Sequence, residues 1–121
     1  MKVKSYRDLI VWQKSVDLVT EVYKILRSFP EEEKFGLTSQ LKRSCISIPS
    51  NIAEGYGRKY IKDYVRFLQI SRGSLFEMQT QIQISINLGY TTEKQINTIL
   101  ETSVEIEKML NTLIKKLTAN T

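Results

Sequence analysis

Apolar side chains return every three or four positions through four stretches of this 121-residue chain. That period marks one face of an α-helix, in which about 3.6 residues complete a turn. Between Asp8 and Arg27 the set is Trp12, Val16, Val19, Val22, Tyr23 and Leu26. Ser28-Phe29-Pro30 closes the stretch, because the residue before a proline is pushed out of the α region. Glu31, Glu32 and Glu33 then suit a short helical turn, whose free N–H groups favour negative charge, before Gly36 interrupts it.

A second stripe runs Leu41, Cys45, Ile48 and Ile52 from Leu37 to about Tyr56. It stays in phase across Pro49, which predicts one helix kinked near Pro49 rather than two elements, and Gly55-Tyr56-Gly57 supplies the stop. The third stretch reads Ile61, Tyr64, Leu68, Ser71, Leu75, Met78, Ile82 and Ser85 and ends at Gly89. The fourth opens at Thr92, with Gln95 placed to complete a capping box, and runs Ile96, Leu100, Ser103, Ile106, Leu110, Leu113 and Leu117, widened by Ile99, Met109 and Ile114. No stretch alternates with period two and no Asn-Gly or Asp-Gly hairpin turn occurs. The expectation is all-α: an antiparallel up-down bundle in a single domain over residues 1–121, with helices at about 8–28, 37–56, 59–88 and 92–117. With 41% hydrophobic and 26% charged residues, such a chain has enough apolar surface for a core without staples.

The residues that are missing narrow the chemistry. There is no histidine, so neither a Ser-His-Asp nor a Cys-His centre can be built, and the Arg-x(4–6)-His pattern of one group of small helical RNases is out. Cys45 is the only cysteine, in phase with the second stripe, and reads as a small buried hydrophobe in a reducing compartment. No catalytic, metal or cofactor residues are assigned. Gly55-Tyr56-Gly57 follows no strand and lacks a downstream Gly-Lys-Ser/Thr, which excludes a phosphate loop. The longest apolar run is Leu9 to Trp12, far below the ~20 residues of a membrane span, and no signal peptide is read at the start. A cytoplasmic protein without a membrane partner is expected.

The charge of +5 is unevenly spread: residues 1–30 and 58–90 each carry a surplus of three, whereas 31–57 carry −1 and 91–121 none. Arg58, Lys59, Lys62 and Arg66 stand among Tyr56, Tyr60 and Tyr64, the best local candidate for a nucleic-acid surface, since cations follow phosphates and rings stack on unpaired bases. The plainer alternative is that the tyrosines pack and the cations are their solvated flank. Lys42 and Arg43, with Arg7, Lys14, Lys24 and Arg27, would extend the patch if they faced the same way.

Two further lines run along these helices. Gln40, Arg43, Ser47, Asn51 and Glu54 form a polar line on the second helix, either a solvated face or a network with Arg72 or Glu77 of the third. Phe67, Ile70, Ile84 and Leu88, with small Gly73 and Ser74 between them, form a second apolar line on the third helix. A lone bundle needs one stripe per helix, so this surplus points to self-association.

The run Phe35-Gly36-Leu37-Thr38-Ser39-Gln40-Leu41, then Arg43, Ser47-Ile48-Pro49 and Asn51-Ile52-Ala53-Glu54-Gly55, resembles the bacterial four-helix-bundle family encoded by 23S rRNA intervening sequences. Trp12, Tyr23, Phe29-Pro30, Gly73-Ser74, Glu77, Leu88-Gly89-Tyr90 and Met109-Leu110 extend the likeness over essentially the whole chain. The resemblance implies a ring-like homopentamer and kinship with the accessory protein of diversity-generating retroelements, which binds nucleic acid and the reverse transcriptase. It does not imply an enzyme. The leading expectation is therefore a non-enzymatic oligomer that binds structured RNA or a ribonucleoprotein through a basic surface repeated by symmetry. An oligomeric adaptor for a protein such as a reverse transcriptase is the alternative, and a small nuclease without histidine is the third reading.

Overall fold

The computed structural model describes residues 2–119. Its helices are α1 (Ile10–Leu26), α2 (Leu37–Tyr56), α3 (Ile61–Asn87) and α4 (Glu93–Ala119), with 3₁₀ turns at Tyr6–Asp8 and Glu31–Glu33. No strand occurs among the described residues, and the architecture is an all-α four-helix bundle. Each helix touches two others in the ring α1, α2, α3, α4 and back to α1, and the α2–α3 seam is the most extensive.

Local chemistry sets the helix ends. Ser5 Oγ accepts Arg7 N at 3.0 Å and Asp8 Oδ2 accepts Ser5 N at 3.2 Å, a capping box on the turn that leads into α1, with Lys4 N also donating to Asp8 Oδ2 at 2.8 Å. Thr92 Oγ1 accepts Gln95 N at 3.2 Å, as the sequence suggests, but the Gln95 side chain accepts from the Thr91 hydroxyl at 3.1 Å instead of closing the box. At the end of α3, Gly89 has φ +79°, a conformation that a β-carbon would strain, and Tyr90 N returns to Ser85 O at 2.9 Å. Helix α2 runs through Pro49 as one assigned element, with the ring buried.

The core follows the stripes in α2, α3 and α4: Leu41, Cys45, Ile48, Ile52, Leu68, Leu75, Met78, Ile82, Ile96, Ile106 and Leu110 are all buried. Each such side chain contributes on the order of 1.5–3 kcal/mol by leaving water. Ile61, expected in the α3 stripe, is exposed at the first turn.

In α1 the inward set is Val11, Ser15, Leu18, Val22 and Leu26. Val16 and Tyr23, placed inside by their spacing, face outward, and Trp12 and Val19 sit half-buried at the rim. The reason is Ser15, which takes a core position by donating to Val11 O at 2.6 Å and so rotates the true stripe off the purely apolar one. Buried serines recur: Ser71 donates to Ile48 O at 2.9 Å, Ser85 to Gln81 O at 2.8 Å and Ser103 to Leu100 O at 2.8 Å. No buried side-chain N or O among the described residues lacks a partner.

Candidate nucleic-acid interface

A four-residue connection, Gly57 to Tyr60, joins α2 to α3 and brings the expected basic cluster to one end of the bundle. Gly55 lies so close to α3 that a β-carbon there would fall 2.7 Å from Phe67 Cβ. Phe67, expected on an oligomer face, is instead buried against its own chain. Two guanidinium groups cover its ring, Arg58 at 4.6 Å and Arg66 at 5.0 Å from the centre. Arg58 also pairs with Glu54 at 3.0 Å, which places that member of the polar line in the basic cluster. Lys59 and Lys62 are exposed without an ion pair among the described residues, and Lys59 Nζ lies 5.6 Å from the Tyr60 ring centre.

The three tyrosines separate by environment. Tyr56 and Tyr64 meet edge to face at 6.0 Å, and burial, then the neighbouring Tyr56, pushes the Tyr64 phenol up to about 12. Tyr60 alone is open, with 62% of its surface exposed. It is also the residue that precedes α3, and no side chain caps the helix there. The cluster therefore combines free backbone N–H groups, two unpaired lysines and one open ring. Lys62 and Arg66 also line a groove of about 530 Å³ with Asp63, the acidic residue of the first turn, and with Val65, Gln69 and Thr118.

The other cations do not extend this cluster. Lys42 and Arg43 lie in the first half of α2, about 20 Å along the helix from its end. Lys42 Nζ sits 5.3 Å from the Tyr23 ring centre, beside Arg27, and forms a second, separate basic spot. Lys14 pairs with Glu105 at 2.9 Å, Lys24 with Glu21 at 3.3 Å, and Arg7 packs against Tyr6 and Trp12.

The polar line of α2 splits between seam and surface. Ser47 Oγ and Ser74 Oγ are 2.8 Å apart, and Asn51 Nδ2 donates to Ser47 O and Oγ, both at 2.8 Å. Ser74, expected on the oligomer face, thus bonds within the chain to Ser47 and is half-buried. Gln40 and Arg43 are exposed. Arg72, expected to reach α2, donates to Asn111 Oδ1 of α4 at 2.9 Å. Glu77 lies against Gln81 Nε2 at a long 3.5 Å, and Gln81 Oε1 accepts from the buried Ser44 hydroxyl at 2.7 Å. Between α2 and α3, Gln40, Arg43, Ser47, Asn51, Ser74 and Glu77 line an open groove of about 530 Å³. Sequence reasoning passed over Ser44 and Gln81; the one signal was their place beside the apolar stripes, where a polar residue needs a partner.

Of the expected oligomer face, Ile70, Gly73 and Ile84 on α3 and Leu88 just past its end are exposed. A β-carbon at Gly73 would meet nothing within 4 Å, so this glycine serves no approach within the chain. Phe76, not anticipated, is exposed near them. Cys45 is buried as expected, and burial pushes its thiol up to about 11, away from thiolate chemistry. No cluster of three metal-ligating side chains is found among the described residues, and no described helix is long and apolar enough to cross a membrane.

No curated protein matches. A solved structure, a protein of unknown function from the S23 ribosomal protein family of Bacteroides thetaiotaomicron, is similar, with 27% sequence identity and a TM-score of 0.81 over 88% of this chain and 99% of that one. The family described as 23S rRNA-intervening sequence protein matches residues 7–112, which takes in α1, α2, α3 and most of α4. On that match, the chain belongs to the 23S rRNA-intervening sequence protein family.

Proposed function

We propose that the protein is a non-enzymatic, oligomeric binder of RNA that grips the phosphate backbone at the start of α3. The observation that carries this reading is the uncapped helix end at Tyr60, flanked by unpaired Lys59 and Lys62 and by the open Tyr60 ring. Free N–H groups and the helix dipole attract an anionic oxygen, lysines add charge, and an exposed ring stacks on an unpaired base. Arg58 and Arg66, held against Phe67, supply planar donors at the same end. Ile70, Ile84 and Leu88 offer α3 as the contact between copies, and a symmetric assembly repeats the basic end on every subunit. The family's link to an rRNA intervening sequence favours RNA over DNA as the first ligand to test.

The test is a double charge reversal, Lys59→Glu with Lys62→Glu, assayed by RNA binding at low salt. Affinity is expected to fall by at least about tenfold with the helical circular dichroism unchanged. Undiminished binding would remove the α3 end from the account. A second reading, an adaptor for a protein partner, is favoured by Phe35, 89% exposed in the connection between α1 and α2. In that case capture of the partner survives nuclease and is lost in Phe35→Asp.

A further inference from the structure

The groove between α2 and α3 holds an arrangement that a solvated helix face does not need. Arg43 from α2 and Glu77 from α3 both line it, yet neither forms an ion pair among the described residues. Glu77 has Gln81 Nε2 at a long 3.5 Å, and Gln81 is itself fixed by the buried Ser44 hydroxyl at 2.7 Å. Beside them, Ser47, Ser74 and Asn51 are locked to one another at 2.8 Å and form a polar floor. Ile46, also lining the groove, is exposed and apolar.

An anion alone does not suit this groove, because Glu77 repels it. A bare cation meets the same objection from Arg43. The complement is a flat, uncharged group that offers acceptors to a guanidinium and donors to a carboxylate. Among the nucleobases, guanine does both most fully: O6 and N7 accept the two-pronged donation of an arginine, and N1–H and N2–H₂ donate to a carboxylate. Its ring face can rest on an apolar side chain such as Ile46, and about 530 Å³ accommodates one nucleotide.

We infer that the α2–α3 groove is a pocket for one unpaired guanine, read by Arg43 and Glu77. This rests on the RNA reading above and adds to it the base that the protein selects, at a place distinct from the phosphate-gripping end of α3. Arg43 and Glu77 contact the base directly; Gln81 and Ser44 are positioning residues.

The experiment titrates the full chain with guanosine 5′-monophosphate, and in parallel with the adenosine, cytidine and uridine monophosphates, following backbone amide resonances. The expected result is that guanosine monophosphate shifts the amides of residues 43–51 and 74–81 and binds about tenfold or more tighter than the other three. Glu77→Gln keeps an acceptor for Gln81 but presents an amide to the base, and is expected to abolish the preference; Arg43→Lys is expected to weaken it by losing the two-pronged contact. Equal affinity for all four nucleotides overturns the inference, as do shifts confined to residues 58–66. If RNA still binds and responds to Lys59→Glu with Lys62→Glu, that result leaves the RNA reading standing. Groove resonances that move with protein concentration alone, and not with nucleotide, assign the groove to a second copy and also overturn it.

Discussion

The phenol of Tyr90 donates a 2.8 Å hydrogen bond to Glu33 Oε2, and Glu33 Oε1 accepts the backbone N–H of Leu37 at 3.0 Å. One carboxylate thus ties the connection after α3 to the first turn of α2, where Gly36 offers no capping side chain. The Leu37 N–H, then the Tyr90 hydroxyl, hold the Glu33 carboxyl below its ordinary range, and the same bond to Glu33 raises the Tyr90 phenol. A lowered carboxyl stabilises the fold above its unfolded pKa, and that contribution is lost as pH falls through the folded value. Tyr90→Phe is expected to lower the thermal midpoint at pH 7 and to narrow the difference between pH 7 and pH 3, measured by circular dichroism melts. An unchanged pH dependence would mean that Tyr90 does not set the Glu33 carboxyl.

Gly55→Ala places a β-carbon 2.7 Å from Phe67 Cβ and 3.2 Å from Tyr64 O, so α2 and α3 must separate. The expected loss is about 1–3 kcal/mol in urea unfolding. Gly73→Ala is the contrast: its β-carbon meets nothing within 4 Å, and in a helix interior alanine is better than glycine by up to about 1 kcal/mol. Gly73→Ala is therefore expected to stabilise the monomer fold, and a loss of self-association in that variant would place Gly73 in the contact between copies.

Ser44→Ala strips the buried Gln81 of its 2.7 Å donor, at an expected cost of about 1–3 kcal/mol. Adding Gln81→Leu to it replaces both partners with apolar groups and is expected to recover much of that loss in chemical denaturation. Additive losses in the double variant would show that the two side chains do not act as a pair.

The helical segments of α2, α3 and α4 are legible because their stripes are long, in phase and bounded by glycine or proline. The inward face of α1 is not, since Ser15 is buried by a bond to its own helix and no hydropathy pattern marks that. At the candidate site the local cluster from Arg58 to Arg66 is readable, but the separation of Lys42 and Arg43 from it is not. The spacing puts Tyr64 in the α3 stripe and leaves Tyr60 off it, as the structure has them, but Phe67 looks like an outward apolar residue until Arg58 and Arg66 are seen across its ring. Arg72 fails the expectation for a related reason: its length lets it turn to Asn111 on α4, away from the polar line of α2.

Self-association through α3 has its own test in Ile84→Glu combined with Leu88→Lys, two exposed positions where a charge costs the monomer little. Sedimentation is expected to show the unmodified chain as an assembly and the variant as a monomer of the same helicity. An unmodified chain that stays monomeric at high concentration would remove the symmetric repetition of the basic end.

The most direct test of the account is the salt dependence of RNA affinity. The logarithm of the binding constant for a single-stranded RNA is expected to fall linearly with the logarithm of salt concentration, by about 0.7 per phosphate neutralised. The slope should shrink by about that amount for each of Lys59→Ala and Lys62→Ala. An affinity indifferent to salt, or a slope that neither substitution alters, would contradict the claim that the uncapped, lysine-flanked start of α3 holds the phosphate backbone.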